Sequence, residues 1–149
     1  MFDYFRTACA VPDVEVADVN FNIKEMKKFI DEAKTRKVDL LVFPELGITG
    51  YTCADLFFQD TLLKEASKGI KELTEYSIDT DTIIAAGAPI IINGLLYNCA
   101  VIIYNGCIYG VIPKKFIPDS GEFFEKRYGS KGLKFTSAVI IFIFLIPYT

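Results

Sequence analysis

VDLLVFPELGITGY, residues 38–51, is the stretch on which the fold turns. Val38, Leu40, Leu41, Val42 and Phe43 make a nearly unbroken apolar run of strand length, which reads as a strand buried on both faces in the middle of a parallel or mixed sheet. Pro44 has no amide proton for a ladder, so pairing ends there and Glu45 is left at the strand's carboxyl end. In layered α/β folds that end is where sites are built. A carboxylate there either faces water as a strand-terminating charge or is put to chemical use, and this stretch alone leaves both readings open.

Upstream, residues 6–11 (RTACAV) suit a first strand, which Pro12 closes. Over residues 20–36 the spacing changes: Phe21, Ile23, Met26, Phe29, Ile30 and Ala33 recur at three and four residues, with lysines and acids between them. This predicts an amphipathic helix capped by Asn20 or Asn22. Strand, helix, strand is a βαβ unit with a right-handed crossover. Downstream, Gly47, Thr49 and Gly50 permit a tight turn, Asp55 caps a short turn through Phe58, and Leu62, Leu63, Ala66, Ile70 and Leu73 mark a second helix over 61–76.

Strands and turns follow. Residues 82–88 read as a buried strand that continues through 89–92 after a bend. Asn93-Gly94 and Asn105-Gly106 are two-residue hairpin signals separating strands at 95–104 and 107–112. Lys114 and Lys115 then sit just past a strand end, as Glu45 does. Residues 121–127 suit a short helical turn carrying Glu122 and Glu125. Residues 138–147 (AVIIFIFLIP) are wholly apolar, yet far short of the about twenty residues that a bilayer span needs. Such a segment is either a fully buried strand or one whose partner is not made.

Composition narrows the function classes. The chain has 149 residues, one domain's worth, and a net charge of -3 with both signs interspersed, which gives no footprint for nucleic acid. It contains no histidine, so Ser/His/Asp and Cys/His hydrolase arrangements are excluded within it, and proton transfer falls to Glu, Asp, Lys, Tyr or Cys. Cys9, Cys53, Cys99 and Cys107 form no CxxC pair, so no metal site is expected. The opening MFDYFRTACAVP lacks a basic region and long apolar core, which predicts a cytoplasmic chain without a membrane partner.

With Glu45 and Lys114 both at strand ends, the chain resembles the nitrilase or carbon-nitrogen hydrolase superfamily, and within it the amino-terminal glutaminase domain of glutamine-dependent NAD synthetases. AVPDVEVADVNFN resembles that domain's opening strand and loop, FPELGITGYTCADLF its glutamate segment, and LYNCAVIIYNGCIYGVIPKKFIP followed by EFFEKR its lysine segment. Together these cover about residues 5–127. The resemblance implies an α/β fold, the nitrilase-like α-β-β-α sandwich, of which this chain holds the amino-terminal portion. It also implies a Cys-Glu-Lys site in which a thiolate attacks the glutamine amide and releases ammonia. Glu45 matches the general base, Lys114 the oxyanion-stabilising lysine, Glu122 a supporting glutamate and Tyr51 an aromatic lining the glutamine pocket. Pro118 lies four residues after Lys114 and three after Lys115, and superfamily branches use both spacings; Pro113 and the synthetase pattern favour Lys114. Without the resemblance, both lysines read equally as solvation of a strand end and Tyr51 as packing.

The nucleophile of that pattern is missing, because its cysteine lies beyond the lysine segment and no cysteine follows Cys107. The four present read as small buried or loop thiols, with Cys53 the one marginal stand-in. The expectation is therefore a partial glutaminase domain over 1–137 and an atypical apolar tail over 138–149, the mark of truncation or a shifted frame. Such a chain is inactive alone, and ATP and Mg belong to a synthetase domain that it lacks. The alternatives are a fragment of another nitrilase-like amidase, or a non-enzymatic fragment that forms homo-oligomers or associates with a full-length synthetase.

Overall fold

In a computed structural model the described residues are 4–115. Glu122 and the apolar tail lie outside them. The order is β1 (Thr7–Cys9), α1 (Val19–Thr35), β2 (Leu40–Val42), a short 3-10 turn (Ala54–Phe58), α2 (Asp60–Tyr76), β3 (Ile83–Ile92), β4 (Leu95–Tyr104) and β5 (Cys107–Pro113). The strands form one mixed sheet in sequence order, with β1, β2 and β3 parallel and β4 and β5 antiparallel. Each parallel pair is joined through a helix, since parallel neighbours need a long crossover, and each antiparallel pair by two residues. In both hairpin turns the Asn-Gly pair has positive φ at both residues, 51° and 77° at Asn93-Gly94 and 43° and 77° at Asn105-Gly106, which matches the twist of the flanking strands. β3 runs unbroken through Pro89, which pairs with Asn98 in register.

α1 is capped by Asp18, whose carboxylate accepts a hydrogen bond from the Phe21 amide at 2.9 Å, and neither expected asparagine caps it. Asn20 is exposed on the helix surface, and Asn22 is buried with other work, described below. Ile23, Met26 and Ile30 of α1 and Leu63, Ala66 and Leu73 of α2 turn inward onto Ile84, Ala86 and Ala88 of β3 and Val101 and Ile103 of β4. Each such large apolar side chain contributes about 1.5–3 kcal/mol by leaving water, so this layer, not helix propensity, holds α1 and α2 in place. The helices cross closely at Gly69, where a Cβ would lie 2.8 Å from Val19 Cγ1. Their outer edges are tied by Lys27 to Glu72 at 2.6 Å and by the Tyr76 hydroxyl to Asp31.

The helices cover one face of the sheet. On β2, Leu41 points to them and is 2% exposed, while Leu40 and Val42 on the other face are half-buried. The expectation of a strand buried on both faces is thus met on one face only among the described residues. Ile83, Ala85, Ala100 and Ile102 share the partly open face, and the candidate site lies at its end.

Candidate active site

The last ladder bond of β2 runs from the Phe43 amide to Ala85 O at 2.9 Å, and Pro44 then turns the chain out of the sheet. Residues 44–50 coil into a compact turn closed by bonds from Gly47 to Pro44, Thr49 to Leu46 and Gly50 to Leu46. Leu46 takes a positive φ of 51° with its side chain 1% exposed, a backbone state that a branched apolar residue adopts only when its surroundings dictate it. Three anchors do so. The turn rests on β3 at Gly87, where a Cβ would stand 2.4 Å from Leu46 N and 2.5 Å from Pro44 O. The Ile48 amide donates to Gly87 O at 3.2 Å. From α1, the buried Asn22 amide donates to Ile48 O and Glu15 O while its oxygen accepts from the Glu15 amide, so both its donors and its oxygen are engaged in joining the two loops.

That turn presents Glu45 to the end of the meander. Lys114 Nζ lies 2.6 Å from Glu45 Oε1, and Asn98 Nδ2 donates to the same oxygen at 2.5 Å. The Lys114 amide in turn donates to Asn98 O at 2.7 Å, the last rung between β4 and β5. Asn98 is 3% exposed, whereas the Glu45 and Lys114 side chains keep 44% and 27% of their surface. An ion pair so open to water is worth about 0–1 kcal/mol to stability, so its interest is chemical. The three residues border a cleft of about 330 Å³ floored by Val42, Ala85 and Ala100. A carboxylate and an ammonium fixed side by side at its edge suit proton transfer together with stabilisation of a developing negative charge.

The other expected positions fall as follows. Of the two candidate lysines it is Lys114 whose ammonium reaches Glu45; Lys115 is exposed beyond it. Tyr51 packs half-buried against the core and does not line the cleft. Cys53 is 2% exposed, its Sγ donates to Thr49 O at 3.0 Å, and burial pushes its thiol pKa up, so it is a packing thiol of the turn. Cys99 borders the cleft, but burial pushes its thiol up to about 12, so near neutrality it holds its proton. Cys9 and Cys107 are exposed, a correction to the reading of all four as buried or loop thiols; Cys9 lies on the edge strand and Cys107 opens β5. Among the described residues no three His, Cys, Asp or Glu side chains cluster as metal ligands, and no helix is long and apolar enough to cross a membrane.

Asn98 and Gly87 are the positions missed from sequence. Both carried a signal: an amide inside the apolar strand LLYNCAVIIY must find partners, and a glycine inside AAGA marks close backbone approach.

The chain matches the carbon-nitrogen hydrolase family model over residues 6–144. It is 38% identical over 129 residues to glutamine-dependent NAD(+) synthetase of Mycobacterium tuberculosis (strain H37Rv), covering 87% of this chain and 19% of that protein. It is 36% identical over 117 residues to the enzyme of that name from Aquifex aeolicus, covering 78% and 20%. The chain thus spans about a fifth of the length of these curated relatives. Its fold superposes on the crystal structure of a glutamine-dependent NAD(+) synthetase from Cytophaga hutchinsonii with a TM-score of 0.79 at 33% identity, over 83% of this chain and 21% of that one. An amidase from Nesterenkonia sp. shares the fold, with a TM-score of 0.70 at 16% identity over 78% of this chain and 44% of that one. With a nitrilase-like sheet and helix layer and a family match along most of its length, the chain belongs to the carbon-nitrogen hydrolase family.

Proposed function

We propose that this chain carries the base and the lysine of a glutamine amide hydrolase, the ammonia-supplying half of a glutamine-dependent NAD synthetase. The observation that supports the reading best is the 2.6 Å contact between Lys114 and Glu45 at the edge of a cleft. In the reaction a cysteine thiol adds to the amide carbon of glutamine while Glu45 takes its proton, and Lys114 steadies the oxyanion. The C–N bond then breaks, ammonia leaves with the proton returned by Glu45, and water frees glutamate from the thioester with Glu45 again as base. Glu122 supports the lysine in this proposal, and no cofactor enters; ATP and Mg serve the synthetase reaction.

None of the thiols of this chain is poised for the first step. Cys53 and Cys99 are buried and protonated, and Cys9 and Cys107 do not line the cleft. The chain alone is therefore inactive, and it acts through association with copies of itself or with a full-length synthetase. The partly open apolar sheet face favours association over an independent amidase. The test is ammonia release from glutamine by the purified chain, alone and with a full-length synthetase. No release alone, the same for Glu45→Gln, and co-sedimentation with the synthetase are expected. Release that disappears in Glu45→Gln would overturn the claim of inactivity, and release from other amides in preference to glutamine would overturn the glutaminase assignment.

A further inference from the structure

We propose that Asn98 is a positioning residue that sets the base and the lysine against each other, one through its side chain and the other through its main chain. The inference deepens the reading of Glu45 as base and Lys114 as its cation, and rests on it. Asn98 is an uncharged amide at 3% exposure in an otherwise apolar strand, where an unpaired polar group costs about 1–3 kcal/mol. Its presence therefore calls for a partner, and that partner is Glu45 Oε1. The same residue's carbonyl accepts the Lys114 amide, so the root of the lysine side chain and the head of the glutamate are both measured from one residue of β4. A lysine has four rotatable carbons and a glutamate three torsions, so two such side chains at 27% and 44% exposure drift unless one end is held. The Asn98 amide holds the glutamate. Its N–H is also a selective donor, because a charge-assisted bond to a carboxylate is about twice as strong as one to a neutral acid.

The two parts of the role separate experimentally, since any side chain at position 98 keeps the main-chain bond to Lys114. Asn98→Ala removes the donor and leaves a gap; Asn98→Leu removes the donor and fills the space. The position of Lys114 is read by the rate at which a trace of acetic anhydride acetylates it, measured by peptide mass spectrometry. Lys27 is the internal control, being 25% exposed and also 2.6 Å from a carboxylate, that of Glu72, on the helices away from the site. Glu45→Gln calibrates the lysine without its Glu45 ion pair. The expected result is that Lys114 acetylates faster in both Asn98 variants, by roughly tenfold if the bond is worth a typical charge-assisted hydrogen bond, with Lys27 unchanged. A faster rate in Asn98→Ala alone would mean that Asn98 acts by packing and would overturn the proposal. So would Lys114 rates within twofold of the parent in both variants, or a Lys114 rate that Glu45→Gln leaves unaltered. If Asn98→Ala does not fold, the Asn98→Leu result decides. No step of this test needs glutamine or turnover, so a chain that hydrolyses nothing leaves the proposal standing or falling by itself.

Discussion

Two buried positions beside Glu45 respond to substitution in opposite physical senses. Gly87 is required by contact: a methyl group there meets backbone nitrogen and oxygen of the Glu45 turn, atoms that have no rotamer to move aside. Gly87→Ala is expected to lower stability by about 3 kcal/mol in urea denaturation and to displace Glu45 from Lys114. Cys99 instead reports through pH. Its thiol is held at about 12 in the fold against 9.0 for an ordinary cysteine, by burial. Below pH 9 both folded and unfolded chains keep the proton and Cys99 adds no pH dependence. Between about 9 and 12 the unfolded chain releases it while the folded one does not, so stability falls as pH rises, with a slope approaching about 1.4 kcal/mol per pH unit. The stability of Cys99→Ala, measured against pH beside the parent, should lack that part of the decline; parallel curves would show that the thiol is not so held.

At the scale of elements, the Glu45 turn is fixed from outside as much as from within. Asn22 of α1 closes it onto the loop that precedes the helix. Asn22→Ala leaves Ile48 O and the Glu15 amide without the bonds Asn22 makes to them, and Glu15 O with the Asp18 amide alone. A loss of about 2–3 kcal/mol is expected, with faster hydrogen exchange at the Glu15 amide than in the parent. Much of this architecture was legible beforehand. The alternation of apolar residues at three and four gave both helices within a residue or two of their ends, and the two Asn-Gly pairs gave both hairpins, because those signals are local. The helix cap was misread because Asp18, Asn20 and Asn22 are all chemically able caps and only the turn around Ala17, with its φ of 64°, decides among them. The end of β2 was legible from Pro44. The role of Asn98 was not, since it depends on the register by which β4 meets β3 and carries an amide toward a turn 53 residues earlier.

For the molecule as a whole, the two classes of thiol give a direct check on the architecture. Cys9 and Cys107 should react with a soluble thiol reagent in the native state, and Cys53 and Cys99 only at the rate of unfolding. Fast modification of Cys53 would mean that the Glu45 turn opens independently of the core. The sheet itself grows outward in sequence order, each strand laid beside the one before. That order has a consequence in time. Glu45 and Lys114 are separated by 69 residues, and every strand between them belongs to the same ladder. During synthesis the amino-terminal βαβ unit has all its own residues well before the second hairpin leaves the ribosome. For that interval the nascent chain holds a glutamate without its counter-ion, and the pair closes only when β5 zips onto β4. Ion pairing at the site is thus a record of completed translation and folding through residue 114.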